Sequence, residues 1–119
     1  MSATILLVED EEILRSLLVE ALSLLDIETA ECMNADAAIP LLEGPNAFAF
    51  VITDISMPGT MDGLDLAKTI WARWPHLPVI LSSGNRVVSH DQLPTNASFL
   101  RKPWTLDQLH QAVSKHLPK

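Results

Sequence analysis

The chain is organised around one short stretch, Val51-Ile52-Thr53-Asp54-Ile55-Ser56-Met57-Pro58-Gly59. With the three residues before it, this stretch contains an apolar run over residues 48–52, which predicts a buried strand. The run stops at Asp54, and the Pro-Gly pair soon afterwards predicts a turn. Sites in open α/β sheets lie just beyond the carboxyl ends of the strands, so Asp54 is the first candidate for a functional residue.

The composition is typical of a single globular domain. Of the 119 residues, 48% are hydrophobic and 19% are charged, and a chain of this length can bury a proper core. We therefore expect one domain over residues 1–119. The formal net charge of −7 argues against a nucleic-acid surface, because such a surface needs clustered lysine and arginine.

Cysteine usage and hydropathy bear on the compartment. The chain has one cysteine, Cys32, which excludes an internal disulfide and is interpreted as a small buried hydrophobic residue. No apolar run reaches the roughly 18 residues of a membrane span, and no signal-like segment begins the sequence. We therefore expect a soluble protein of the cytoplasm that has no contact with a membrane.

Strand and helix patterns alternate along the chain. Four more short stretches predict strands, and they lie at residues 4–8, 27–32, 79–83 and 97–101. Residues 27–32 alternate between apolar and polar side chains, a pattern that is typical of an edge strand. Apolar residues at helical spacing predict four helices, which lie at residues 12–25, between Asn34 and Gly44, at about 63–73, and after Thr105. In the first helix Ile13 and Leu17 are predicted to face inward and Arg15 outward. The alternation predicts an α/β domain, a single doubly wound five-stranded parallel sheet with helices on both faces.

Polar side chains follow four of the five predicted strands. They are Glu9 and Asp10 after the first strand, Asp54 after the third, Ser83 after the fourth and Lys102 after the fifth. Neighbouring parallel strands would bring these groups to one edge of the sheet. Three carboxylates pushed together repel one another and need a cation, and oxygen ligands with open positions suit Mg²⁺. A lysine and a hydroxyl can bind phosphate oxygens, so the set predicts phosphoryl transfer with Asp54 as the nucleophile.

With these residues in place, the chain resembles the response-regulator receiver domains of bacterial two-component signalling. The resemblance covers essentially the whole chain, and it depends on four strings in the right order and spacing: LLVEDEE, VITDISMPG, PVILSSG and FLRKPW. It implies the flavodoxin-like receiver fold. It also implies a phosphoacceptor, rather than an enzyme, that takes its phosphoryl group from a sensor histidine kinase or a histidine phosphotransfer protein and then acts on a downstream protein.

The resemblance assigns a role to each matching residue of the metal site. Asp54 corresponds to the phosphoacceptor. Asp10 would bind Mg²⁺ directly and Glu9 through water, and the backbone carbonyl of Ser56 would be a further ligand. The side chain of Ser56 and that of Asn85 occupy positions that tune dephosphorylation in the family.

Three further residues correspond to positions that, in the family, respond to the phosphoryl group on the aspartate. Ser83 matches the switch hydroxyl, Phe99 the switch aromatic residue, and Lys102 the lysine that precedes a proline. The family commonly has a cis peptide at this step, so we expect one between Lys102 and Pro103, although the bare frequency for any X-Pro bond is only about 5–6%.

The sequence also departs from the common pattern of the family. The loop over residues 58–63 has one residue more than its usual form, and Phe99 stands where tyrosine is more frequent. The segment between Gly84 and Phe99 is short and contains Pro94, so the helix expected there, the fourth in the family, should be short or absent.

Several alternatives remain open. A Mg²⁺-dependent phosphohydrolase with an aspartate nucleophile is one, although such enzymes place a second acid where this chain has Ser56. A receiver-like interaction module that takes no phosphate is another. Phe99 could be plain core packing, and Ser82 could be mistaken for Ser83. Four histidines without ligand spacing are interpreted as surface residues: His76, His90, His110 and His116.

Overall fold

The computed structural model describes residues 3–45, 47–57, 59–84, 93 and 96–116. Strands and helices alternate in the following order: β1 (Ala3–Val8), α1 (Glu12–Ser23), β2 (Ile27–Cys32), α2 (Ala35–Glu43), β3 (Val51–Asp54), α3 (Gly63–Arg73), β4 (Val79–Ser83), β5 (Ala97–Arg101) and α4 (Leu106–Ser114). The strands form one parallel sheet in the order β2-β1-β3-β4-β5. The predicted fold class is confirmed, and β2 is an edge strand as its alternating pattern indicated.

Two hydrophobic cores cover the two faces of the sheet. In β1, Leu6 and Val8 pack with buried residues of α2 and α3, whereas Ile5 and Leu7 pack with those of α1 and α4. This division follows from the strand period of two, which sends successive side chains to opposite faces. Because both faces are covered, the central strands are apolar throughout rather than alternating.

Side-chain caps fix the beginnings of three helices. Asn34 accepts a hydrogen bond from the backbone N–H of Ala37 at 2.7 Å and so begins α2 as predicted. Reciprocal capping boxes begin the other two, Asp62 with Asp65 at α3 and Thr105 with Gln108 at α4. Such caps satisfy backbone donors that the first helical turn leaves unpaired.

Two predicted boundaries were wrong. The third strand begins at Val51, not at residue 48. Ala49 N–H does donate to the Thr4 carbonyl at 2.8 Å, but a bond towards β4 begins only at Val51, whose N–H donates to the Pro78 carbonyl at 3.0 Å. Helix α1 ends at Ser23, two residues earlier than predicted, because the chain turns through Asp26 with a φ of 61°.

The inward face predicted for α1 was also too wide. Its buried residues are Leu18 and Leu22, whereas Ile13 is 80% exposed and Leu17 is 57% exposed. A helix packed on a flat sheet buries one stripe, and apolar residues on the flank of that stripe stay at the surface.

Among the histidines, the surface prediction was wrong for His116. The His116 ring lies 6.0 Å from that of Phe50, and its Nε2 lies 3.1 Å from the Ser98 hydroxyl. Burial, assisted by Lys115, lowers the pKa of His116. His110 also places a ring nitrogen in the interior, His76 is exposed as predicted, and His90 lies outside the described residues.

Cys32 is buried, as predicted, and burial raises the pKa of its thiol to about 11. Within the described ranges, the structure contains no helix long and apolar enough to cross a membrane. The prediction of a short or absent helix between Gly84 and Phe99 falls mostly on residues 85–92 and 94–95, which lie outside the described residues.

Candidate functional site

Three carboxylates meet at the carboxyl edge of the sheet. Glu9 and Asp10 follow β1, and Asp54 is the last residue of β3. Because β1 and β3 are paired with Val8 opposite Thr53, the ends of these strands are adjacent. One oxygen from each carboxylate lies within 4.8 Å of the others. The convergence predicted from the ends of the strands is therefore present.

Lys102 reaches this cluster from the far side of β4. Its Nζ lies 3.2 Å from Asp54 Oδ1 and 3.3 Å from Glu9 Oε1. Its backbone N–H donates to the Ser83 carbonyl at 3.0 Å, which continues the β4–β5 pairing by one residue towards the site. The peptide bond between Lys102 and Pro103 is cis, as expected.

The electrostatics of the site are those of a crowded, buried cluster. Glu9 is 2% exposed and Asp54 is 8% exposed. Burial raises the pKa of both carboxyls, and the nearby Lys102 ammonium offsets part of that rise. Burial also acts to lower the pKa of Lys102, but the two carboxylates outweigh it, so that pKa is raised overall. The ammonium thus stays charged between the acids.

Glu9 is held in place by groups that the sequence did not single out. Its Oε2 accepts a hydrogen bond from the backbone N–H of Glu11 at 3.1 Å. Its carbonyl accepts one from Arg15 Nη1 at 2.8 Å, and Arg15 Nε pairs with Glu31 at 3.2 Å. The Arg15 side chain is only 16% exposed, so its predicted outward orientation was wrong. A buried carbonyl that needs a donor explains why a charged residue lies against the sheet.

Gly63 is a second residue that the sequence analysis missed. A Cβ at this position would lie 1.8 Å from the carbonyl oxygen of Asp54, and the Gly63 N–H donates to the Ile55 carbonyl at 2.8 Å. The start of α3 therefore packs directly against the backbone of the candidate nucleophile. No local pattern signals this contact, because it depends on where α3 lands on the sheet.

The donor set fits a small, hard divalent cation. The three side chains offer only carboxylate oxygens, and Asp10 faces solvent while the other two are buried. Mg²⁺ prefers oxygen ligands and keeps several waters, which an open side of the site allows. Two buried carboxylates whose pKa values are raised also gain from a nearby cation.

The remaining predicted residues lie around this centre, and their roles stay predictions. Ser83 is buried at the end of β4, Ser56 is exposed in the loop after β3, and Phe99 is half-buried against the core on the α2–α3 face. Asn85 lies outside the described residues. Ser82, rather than Ser83, lines a small enclosed cavity together with Asp54 and Lys102.

An apolar groove of about 680 Å³ begins beside Lys102. One side of it is formed by α1, with Leu14, Leu17 and Ala21, and the other by the segment from Pro103 to Leu106. Trp104 lines this groove and also packs against the core on the α1–α4 face. The groove thus joins an exposed apolar surface to the charged site.

Comparisons with known proteins agree with this arrangement. A family model described as the response regulator receiver domain matches residues 5–114. The chain is 39% identical to the response regulator protein FleR of Pseudomonas aeruginosa and 32% identical to the chemotaxis protein CheY of the same species, over 98% and 93% of its length. It spans 25% of FleR but 93% of CheY. A solved structure of a response regulator receiver protein from Sinorhizobium medicae superposes with a TM-score of 0.87 at 29% identity, covering 96% of this chain and 93% of that one.

Proposed function

Because the chain belongs to the response regulator receiver family, we propose that Asp54 accepts a phosphoryl group from a phosphohistidine of a sensor histidine kinase or histidine phosphotransfer protein. The observation that supports this most directly is the 3.2 Å contact of Lys102 Nζ with Asp54, inside a cluster of three acids. A carboxylate at the rim of the sheet, with a cation beside it, has the parts that phosphoryl transfer needs.

In this proposal an oxygen of Asp54 attacks the phosphorus atom as the bond from phosphorus to the imidazole nitrogen breaks. The electron pair of that bond stays on the imidazole, and Asp54 becomes an acyl phosphate. Glu9, Asp10, Asp54 and the Ser56 carbonyl would hold Mg²⁺. When bound, Mg²⁺ supplies positive charge that balances the carboxylate and the phosphoryl oxygens.

Lys102 and Ser83 have their roles after transfer. The Lys102 ammonium contacts two carboxylates in the present structure and can donate to a phosphoryl oxygen when Asp54 is modified. The Ser83 hydroxyl would donate to another such oxygen, and its inward movement would leave space for Phe99. A local change of charge would then alter a protein-binding surface. Ser56 and Asn85 would set how long the acyl phosphate lasts.

The phosphoryl donor would dock on the groove between α1 and the Pro103–Leu106 segment. Lys102 lines both this groove and the site, so a protein that presents phosphohistidine to Asp54 must cover the neighbouring apolar surface. The exposed Leu17 gives that groove an apolar contact on its α1 side.

Other parts of the proposal concern the whole chain. Residues 1–119 would act as one receiver domain that passes its signal to a downstream protein. It would be a phosphoacceptor and not a turnover enzyme, since position 56 carries serine where a phosphohydrolase would carry its second acid. We place the reaction in the cytoplasm, where kinases draw on ATP.

The test uses beryllofluoride, which imitates a phosphoryl group on a carboxylate. With Mg²⁺ present, fluorine NMR of the wild type should show bound beryllofluoride, whereas the Asp54→Asn variant should show none. Asp26→Asn removes an exposed acid after α1 and should bind as the wild type does, because asparagine tolerates the positive φ at that position. Equal binding by Asp54→Asn and the wild type, or no binding by the wild type, would contradict the proposal.

A further inference from the structure

The loop between β3 and α3 is fastened to the first turn of α2. Asp36 Oδ1 accepts a hydrogen bond from the Thr60 hydroxyl at 2.6 Å, and its Oδ2 accepts one from the Thr60 backbone N–H at 3.3 Å. A charged acceptor strengthens both bonds relative to neutral ones. One side chain of α2 therefore holds both the backbone and the side chain of a loop residue 24 positions away.

Gly59 makes this attachment possible. Its φ is +117°, which side-chain-bearing residues rarely adopt, and a Cβ there would lie 2.7 Å from Asp36 Oδ2. The carboxylate thus occupies the space that a side chain at position 59 would need. The loop and Asp36 fit each other closely, and the contact lies at the carboxyl edge of the sheet, since α2 follows β2 there.

A second attachment fixes the other end of the same loop. The Ile55 carbonyl accepts a hydrogen bond from Gly63 N–H at 2.8 Å, and Ile55 N–H donates to the Ser82 carbonyl at 2.9 Å. Ser56 therefore lies between two fixed points, Ile55 and Thr60. The loop over residues 58–63 is also the one in which the sequence has an additional residue.

We propose that Asp36 is a positioning residue for the metal site. Asp36 holds Thr60 and so keeps the Ser56 carbonyl in place for Mg²⁺. The inference rests on the proposed function, because that function makes Ser56 a ligand. Asp36 itself touches neither the metal nor the phosphoryl group.

The physical basis is the conformational entropy of the loop. With Thr60 held, the part of the loop that carries Ser56 has a fixed point on each side, Ile55 and Thr60. Without that contact, the next fixed point is Asp62, which the capping box with Asp65 holds. Binding of Mg²⁺ would then have to order a longer segment, and the cost appears as weaker affinity. Asp36 and Thr60 are exposed, so global stability should change little.

The experiment measures Mg²⁺ affinity by titration calorimetry, with unfolding in urea as a separate readout. Thr60→Val removes the hydroxyl donor without changing the charge, and Thr60→Ser restores it. We expect Thr60→Val to weaken Mg²⁺ binding about two- to tenfold, the range for one hydrogen bond, and Thr60→Ser to bind as the wild type does. Asp36→Ala should weaken binding at least as much, and adding Thr60→Val to it should have no further effect.

Glu43→Ala is the matched control. Glu43 lies in the last turn of α2 and pairs with Arg73 of α3 at 2.7 Å. This variant therefore loses the same charge as Asp36→Ala and also a side-chain contact of α2, but at the opposite end of that helix and with α3 rather than with the loop. It should keep wild-type affinity. The inference is overturned if Thr60→Val binds Mg²⁺ as tightly as Thr60→Ser does. Failure of the wild type to bind Mg²⁺ and beryllofluoride would instead overturn the proposed function and this inference with it.

Discussion

At the residue scale, the site keeps two acids where their ionisation is unfavourable. Glu9 and Asp54 are buried side by side, and burial raises the pKa of each. Lys102 contacts both and offsets only part of that effect. The residues that prepare the site for a cation therefore destabilise the metal-free fold, a trade between function and stability that is common at reactive sites.

Replacing Asp54 by asparagine should stabilise the metal-free protein. The pKa of Asp54 is raised in the fold, so the stability linked to it is greatest below the unfolded pKa of about 3.9 and is lost as pH rises through the folded pKa. With EDTA present, urea unfolding should show Asp54→Asn to be more stable than the wild type near pH 7, by a margin that shrinks near pH 4. Asp26→Asn removes one negative charge at an exposed position after α1 and is the matched control. If Asp54→Asn is less stable than the wild type at both pH values, the raised pKa of Asp54 is contradicted.

A side chain at Gly63 should damage both fold and site. The added Cβ of Gly63→Ala would meet the Asp54 carbonyl oxygen at 1.8 Å, so the start of α3 must move away from β3. We expect a loss of about 1–3 kcal/mol or more in the free energy of unfolding, measured in urea, together with weaker Mg²⁺ binding. Gly44→Ala is the control, because its Cβ would make ordinary contacts of 3.4 Å and longer. Equal stabilities for the two variants would refute the close approach.

At the scale of elements, α1 has two different apolar faces. Leu18 and Leu22 pack on the sheet, whereas Leu17 lines the groove beside Lys102. The apolar residues of both faces recur at helical spacing, so the sequence does not distinguish them. Which face is buried depends only on the position of the sheet. The helix runs away from the carboxyl edge, so Leu24, also exposed, lies at the end far from the site.

The proposed role of the groove as a docking surface can be tested by comparing two phosphoryl donors. Leu17→Glu should lower the rate of transfer from a partner kinase about tenfold or more, the usual effect of a central contact residue. Transfer from acetyl phosphate should not change, because this small donor needs no docking surface. Leu24→Glu makes the same change at an exposed position just after α1 that does not line the groove, and it should leave both rates unaltered. Equal losses with both donors would show that Leu17 acts on the site and not on docking.

At the scale of the whole molecule, the strand order assembles the site from distant parts of the chain. The order β2-β1-β3-β4-β5 places the ends of β1 and β3 side by side, and Lys102 reaches them across β4 from the edge strand β5. Glu9 and Lys102 are 93 residues apart in sequence. A ligand bound among them therefore connects the first and last thirds of the fold.

Mg²⁺ should for this reason stabilise the folded chain as a whole. A ligand that binds only the native state adds about 2.7 kcal/mol at a concentration one hundred times its dissociation constant. The midpoint of thermal unfolding should rise with added Mg²⁺ and return to its starting value in EDTA. Asp10→Asn removes an exposed acid of the cluster and should abolish the rise. A wild-type midpoint that is insensitive to Mg²⁺ would exclude a native-state metal site.

Features that depend on neighbours along the chain could be predicted from the sequence alone. Hydrophobic period distinguished the buried strands from the helices, and Asn34 and Thr105 marked helix starts because a cap bonds to backbone only three residues away. Parallel topology then brought Asp54 and the acids after β1 to one edge. The tertiary structure alone decided which flank of α1 is exposed, that Arg15 turns inward, and that Gly63 and Asp36 fix the loop after Asp54. These depend on close approaches between segments that are distant in sequence, and such approaches leave no period or local motif that could be read in advance.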